Sequence, residues 1–137
     1  MILQNCDIKL DYNPATDILE IEYPDMHSYQ LSEIEYSMSL MVESIKNYDV
    51  KRLLFDSSKT IIGVSDDEYA KVMAQLISLL TTTRLEKVAR IALLDQVREK
   101  LEQAKINEQA QITVLPFELK TFSNRADAKA WLVIHMN

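Results

Sequence analysis

Apolar and polar positions alternate twice near the start of the chain, in Ile8-Lys9-Leu10-Asp11-Tyr12 and in Ile18-Leu19-Glu20-Ile21-Glu22-Tyr23. A period of two places successive side chains on opposite faces, so both segments read as strands. Asn13-Pro14-Ala15-Thr16-Asp17 between them carries turn residues, which predicts a β-hairpin. Pro24 then ends the second strand.

The spacing changes after that. Ile34, Met38, Met41, Ile45 and Tyr48 recur at intervals of three and four, one stripe of a helix over Ser32–Tyr48. Ser32 and Glu35 have the spacing of a capping box. Val50 to Phe55 follows as a strand that stops in Asp56-Ser57-Ser58. Ser65 and Glu68 form a second capping box, and the helix after them points Tyr69, Val72, Met73, Leu76 and Leu80 inward. The near-continuous apolar run Val88–Leu94 suits a strand inside a sheet. Asp95 can cap a third helix with Val97, Leu101 and Ala104 on its inner side. Ile112–Leu115 and Leu119–Phe122 read as short extended pieces broken by Pro116. Ser123 or Asn124 caps a last helix with Ala128, Trp131 and Leu132 inward. The order ββαβαβαβα predicts one α/β domain over residues 1–137, with a mixed, mainly parallel sheet and an antiparallel opening hairpin.

Composition narrows the function classes. The net charge is −6, and residues 1–49 hold 10 of the 21 acids with only Lys9 and Lys46 as bases. That balance argues against nucleic acid, which demands basic surfaces. It leaves an acidic N-terminal half able to steer a protein partner. No apolar run approaches the ~20 residues that span a bilayer, so membrane insertion is not expected. The first residues lack the pattern of a signal peptide, and Cys6 has no second cysteine to pair with; both point to the cytoplasm.

Candidate chemistry is sparse. The single glycine, Gly63, cannot build a Gly-rich phosphate loop, which counts against nucleotide-binding folds and implies no cofactor. Cys6, His27 and His135 are far apart and predict no metal site. Glu20 and Glu22 share one strand face and read as solvated acids on an edge strand. Asp56 at a strand end resembles the acceptor of a receiver domain, but no acid pair follows a parallel first strand to hold magnesium with it. Asp56, Ser57 and Ser58 also suit a simpler task, satisfying the backbone as the strand turns. The apolar loop Ile61-Ile62-Gly63-Val64 is expected to be buried or to form a short extra strand; exposed, it would be a surface for a partner or an apolar ligand.

The hairpin, the helix leading into Val50–Asp56, the strand Val88–Leu94 and the ending Phe122-Ser123…Ala128…Trp131-Leu132 together resemble the SpoIIAA-like fold of STAS domains. They are similar above all to the small STAS/SEC14-like proteins, over roughly residues 8–132. The resemblance implies a regulatory or protein-interaction module and not an enzyme, able to self-associate. Its SEC14-like side implies, as an alternative, a carrier of a small apolar or lipid-like ligand. In anti-sigma-factor antagonists of this fold a strand runs into Asp-Ser-Ser-Gly and a helix begins at once, so that a phosphoserine sits at the helix N-terminus. By that comparison Ser57 and Ser58 are the candidate phospho-acceptors. This chain departs from the pattern, with Lys59 in place of the glycine and the next helix starting near Ser65.

Overall fold

The structure, a computed structural model, describes residues 2–3, 9–22, 26–27, 31–56, 58, 62–63, 65–112 and 114–134. Its strands are β1 (Ile2–Leu3), β2 (Lys9–Asn13), β3 (Ile18–Glu22), β4 (Met26–His27), β5 (Arg52–Asp56), β6 (Ile62–Gly63), β7 (Lys87–Ile91) and β8 (Glu118–Phe122). The helices are α1 (Leu31–Asn47), α2 (Asp66–Leu80), α3 (Gln96–Ile112) and α4 (Arg125–Leu132). A six-stranded sheet runs β1-β2-β3-β5-β7-β8. Its first two pairings are antiparallel, and β3, β5, β7 and β8 are parallel to one another. The expected mixed α/β architecture, with its antiparallel start, is what forms.

Each strand of the sheet sends alternate residues to opposite faces. Leu10, Tyr12, Leu19, Ile21, Leu53, Phe55 and Val88 meet the inner residues of α1 and α2 in the larger core cluster. Ile18, Leu54, Ala89 and Ile91 point the other way and meet Ala128 and Leu132 of α4. So α1 and α2 lie on one face and α4 on the other. Burying one such Leu or Ile contributes roughly 1.5–3 kcal/mol, so alternation alone settles the register. Two cations of the sheet also hold the C-terminal end of α4. Arg52 Nε donates to the Leu132 carbonyl at 2.9 Å, and Lys87 Nζ donates to the Trp131 carbonyl at 3.1 Å.

With one glycine in the chain, the two left-handed backbone positions among the described residues fall to aspartate, Asp17 (φ 54°) and Asp49 (φ 51°). Asp49 closes α1: its N–H reaches the Lys46 carbonyl at 3.2 Å, and the Val50 N–H reaches that of Ile45 at 3.0 Å, the paired bonds of a Schellman ending. Asp17 turns the hairpin. Its carboxylate accepts from the Tyr12 hydroxyl at 2.8 Å and from the Lys51 N–H at 3.3 Å.

Several local expectations are corrected. α1 begins at Leu31, so Ser32 lies within its first turn and does not cap it. Tyr48 falls in the turn that Asp49 creates and is exposed. β5 starts at Arg52, leaving Val50 buried but outside the strand. Ile112 ends α3 instead of opening an extended piece. The second capping box is present as expected, with Ser65 Oγ accepting from the Glu68 N–H and Glu68 accepting from the Ser65 N–H.

Candidate functional site

The carboxyl end of β5 is where an open α/β sheet exposes its chemistry. Asp56 is buried there. Its Oδ1 accepts from the Ser58 hydroxyl at 2.6 Å and from the Ser58 N–H at 3.0 Å. Its Oδ2 accepts from Arg125 Nε at 2.8 Å, across the sheet from the first turn of α4. Burial alone would raise the Asp56 carboxyl. The Ser58 hydroxyl and amide and the Arg125 guanidinium more than offset it and hold the group below its usual range.

The same guanidinium reaches two more acids. Arg125 Nη1 lies 3.2 Å from Glu20 Oε1, and Nη2 lies 2.6 Å from Glu22 Oε1. Lys129, one turn along α4, adds a 3.2 Å contact to Glu20. Glu20 and Glu22 are therefore not solvated acids on an edge. β3 sits between β2 and β5, and their face looks onto the N-terminal half of α4. Three carboxylates converge, but on a guanidinium. Among the described residues no group of three or more His, Cys, Asp or Glu is disposed to hold a metal ion.

The other sequence candidates fall around this point. Ser57, Ile61 and Val64 lie outside the described residues, as do Cys6 and His135. Ile62 belongs to β6, which pairs in parallel with β4, Met26 to Ile62 and His27 to Gly63. The loop thus contains the short extra strand that was one of its expected forms. Ser58 is brought to Asp56, but α2 begins only at Asp66 under its own cap, Ser65. Ser58 is not at a helix N-terminus.

A second polar cluster lies under α2 and α3, where sequence reasoning placed only apolar residues. Arg90 shares the face of Val88 and is almost fully buried. Its two terminal nitrogens form a fork to Glu99, at 2.8 and 2.6 Å. Nη2 also lies 3.2 Å from Glu102, and Nη1 bonds Thr121 at 3.0 Å. Glu102 Oε2 accepts from the Tyr69 hydroxyl of α2 at 2.6 Å. Burial raises the Glu102 carboxyl despite Arg90. Burial would also raise Glu99, but the Arg90 fork and the Leu93 N–H, 2.8 Å away, hold it low.

This cluster turns α3 over. Glu99, Glu102 and Ile106 take the inner face, so Val97 and Leu101, expected inside, are 71% and 47% exposed, and Ala104 is exposed as well. The reason is energetic: a buried guanidinium left without acids costs more than two exposed aliphatic side chains. Leu94, just before the helix, is 79% exposed. Beside this row a groove of about 210 Å³ opens between α2 and α3, lined in part by Tyr69, Ala70, Met73, Leu101 and Lys105. The signal for all of this was Arg90 itself, a cation in the middle of an apolar strand.

Among the described residues no helix is long and apolar enough to cross a membrane. No protein-family model matches the chain, and no curated protein does. Among solved structures, a chain in the complex of the diguanylate cyclase SiaD with its activator SiaC from Pseudomonas aeruginosa is similar in backbone course, with a TM-score of 0.42 and 10% sequence identity, over 89% of this chain and 99% of that one. A likeness of that degree speaks to neither function nor partner.

Proposed function

We propose that this chain is a non-catalytic regulatory or protein-interaction module of STAS-like type, and that it meets its partner along the outer face of α3. The observation that carries this reading is the exposed row of Leu94, Val97 and Leu101, apolar surface that the fold does not use internally. The polar clusters fit the same reading. Asp56 is engaged by Ser58 and Arg125, and Glu102 by Tyr69 and Arg90, so each carboxylate is already committed to holding the fold.

Position-specific photo-crosslinking in the native cell tests it. A photo-reactive residue in place of Leu101 is expected to give a discrete adduct, and one in place of the exposed Glu118 on β8 is not. Equal yields at the two positions would sink the reading. A carrier of a small apolar ligand is the second reading, favoured by the apolar part of the α2–α3 groove. A bound small molecule in the native mass of the purified protein would decide for it. The phosphoserine switch draws less support, since Ser58 already donates to a buried carboxylate that an added phosphate would repel.

A further inference from the structure

We infer that α3 is a flap latched by one proton. With Glu102 neutral, the buried cluster beneath the helix is balanced in charge and α3 stays seated. With Glu102 ionised, α3 lifts from α2 and the sheet. The inference goes beyond the partner-binding reading and does not depend on it.

The latch follows from the charges packed under α3. Arg90 of β7 and Glu102 are buried, and the Glu99 side chain is mostly so. One guanidinium thus faces two carboxylates. Its fork holds Glu99, at 2.8 and 2.6 Å. Glu102 Oε2 accepts from the Tyr69 hydroxyl of α2. Glu102 Oε1 has no hydrogen-bond partner among the described residues, only the 3.2 Å charge contact with Arg90 Nη2. The other groups nearby do not supply a second cation to the cluster. Thr121 of β8 is an uncharged hydroxyl. Asp67 of α2 and Arg98 and Lys105 of α3 line the groove beside Glu102. Lys105 is more than half exposed and screened by water, and Arg98 has a partner of its own. Two ionised acids on one buried cation leave a net negative charge out of water, and a proton on Glu102 removes it. Burial holds that carboxyl above its ordinary value, as this requires.

Little else seats the helix. Ile106 is the one apolar side chain buried among the described residues of α3, whereas α1 buries Ile34, Met38, Met41, Val42 and Ile45. Elements with few buried apolar contacts open first. The seam is also loosely filled. Glu102 borders both the groove of about 210 Å³ and a gap of about 30 Å³ toward Met73, Ile77 and Ile106. Lifting α3 turns Met73 and Ile77 to solvent beside the exposed Leu101, so pH sets how much apolar surface the helix layer offers.

Amide hydrogen exchange on the full chain tests this. In the open form Glu102 is an ordinary carboxyl, so the seated form binds one proton more. Opening is therefore expected to rise with pH, by about tenfold per pH unit at most and by at least about threefold between about pH 5 and 7. After correction for intrinsic exchange, the amides of Glu102 and Ile106 are expected to exchange at least about tenfold faster than those of Met38 and Met41. Glu102→Gln keeps the acceptor for Tyr69 and cannot ionise, so it is expected to keep the native circular dichroism and lose the pH dependence. In the native chain a carbon-13 label on the Glu102 carboxyl is expected to read as largely neutral at about pH 5, where an unperturbed glutamate is mostly ionised. α3 exchange that is independent of pH or no faster than that of α1, a Gln variant with the native pH dependence, or an ionised Glu102 at about pH 5 would each overturn the inference. The last of these needs no variant to fold.

Discussion

Arg90 shows how one side chain sets its surroundings. It holds Glu99 by a fork and Glu102 by a longer contact, and its Nε has no hydrogen-bond partner among the described residues. Breaking a buried pair costs more than the pair contributes, because the surviving charge is stranded. Arg90→Leu is therefore expected to lose about 3–5 kcal/mol, read from urea unfolding midpoints. Adding Glu102→Leu removes one of the stranded acids and is expected to recover a substantial part of that loss. A double variant no more stable than the single one would show that the network does not work as a unit. The residue was visible in the sequence, and so was its face, by alternation with Val88. Its partners were not, because a buried cation demands acids without saying which helix supplies them.

At the scale of elements, what was legible followed period and cap chemistry. The hairpin, the α2 capping box and the Asn124 cap of α4 each rest on residues three or four apart, and local physics suffices there. The end of α1 is local too: the chain leaves the helix at Asn47-Tyr48-Asp49, and Asp49 takes the left-handed position usual for glycine. α3 is the exception. Val97, Leu101 and Ala104 have faultless helical spacing, yet tertiary electrostatics rotates them outward and puts Glu102 inside. The cluster at the end of β5 was half visible. Asp56 and Ser58 are neighbours in sequence, whereas Arg125 reaches them only because α4 folds back over the sheet, and Glu20 and Glu22 join through the pairing of β3 with β5.

At the scale of the whole molecule, three carboxyls among the described residues have opposed shifts that shape stability against pH. Asp56 and Glu99 are held low, so their contribution is complete above the ordinary carboxylate range and is lost as pH falls through their folded values. Glu102 is raised, so its contribution is complete at acid pH and is lost as pH rises through its folded value. Below about pH 4 only the Asp56 and Glu99 contributions still change, which predicts acid destabilisation there. Glu102→Gln, which removes the opposing term, is expected to gain more stability between pH 4 and 7 than the native chain does. Urea midpoints across that range check it, and parallel curves would contradict it.

The hydroxyl that Tyr69 gives to Glu102 makes the ring an optical marker of the closed state. Phenol ionisation is seen as ultraviolet absorbance, and burial together with the adjacent carboxylate holds Tyr69 well above its ordinary value. Tyr12, shielded by burial and bonded to Asp17, is pushed up to about 12, while Tyr36 and Tyr48 stand exposed. Tyr69 should remain dark until α2 parts from α3, so its late, abrupt appearance in the spectrum would time the opening of the helix layer without any added label.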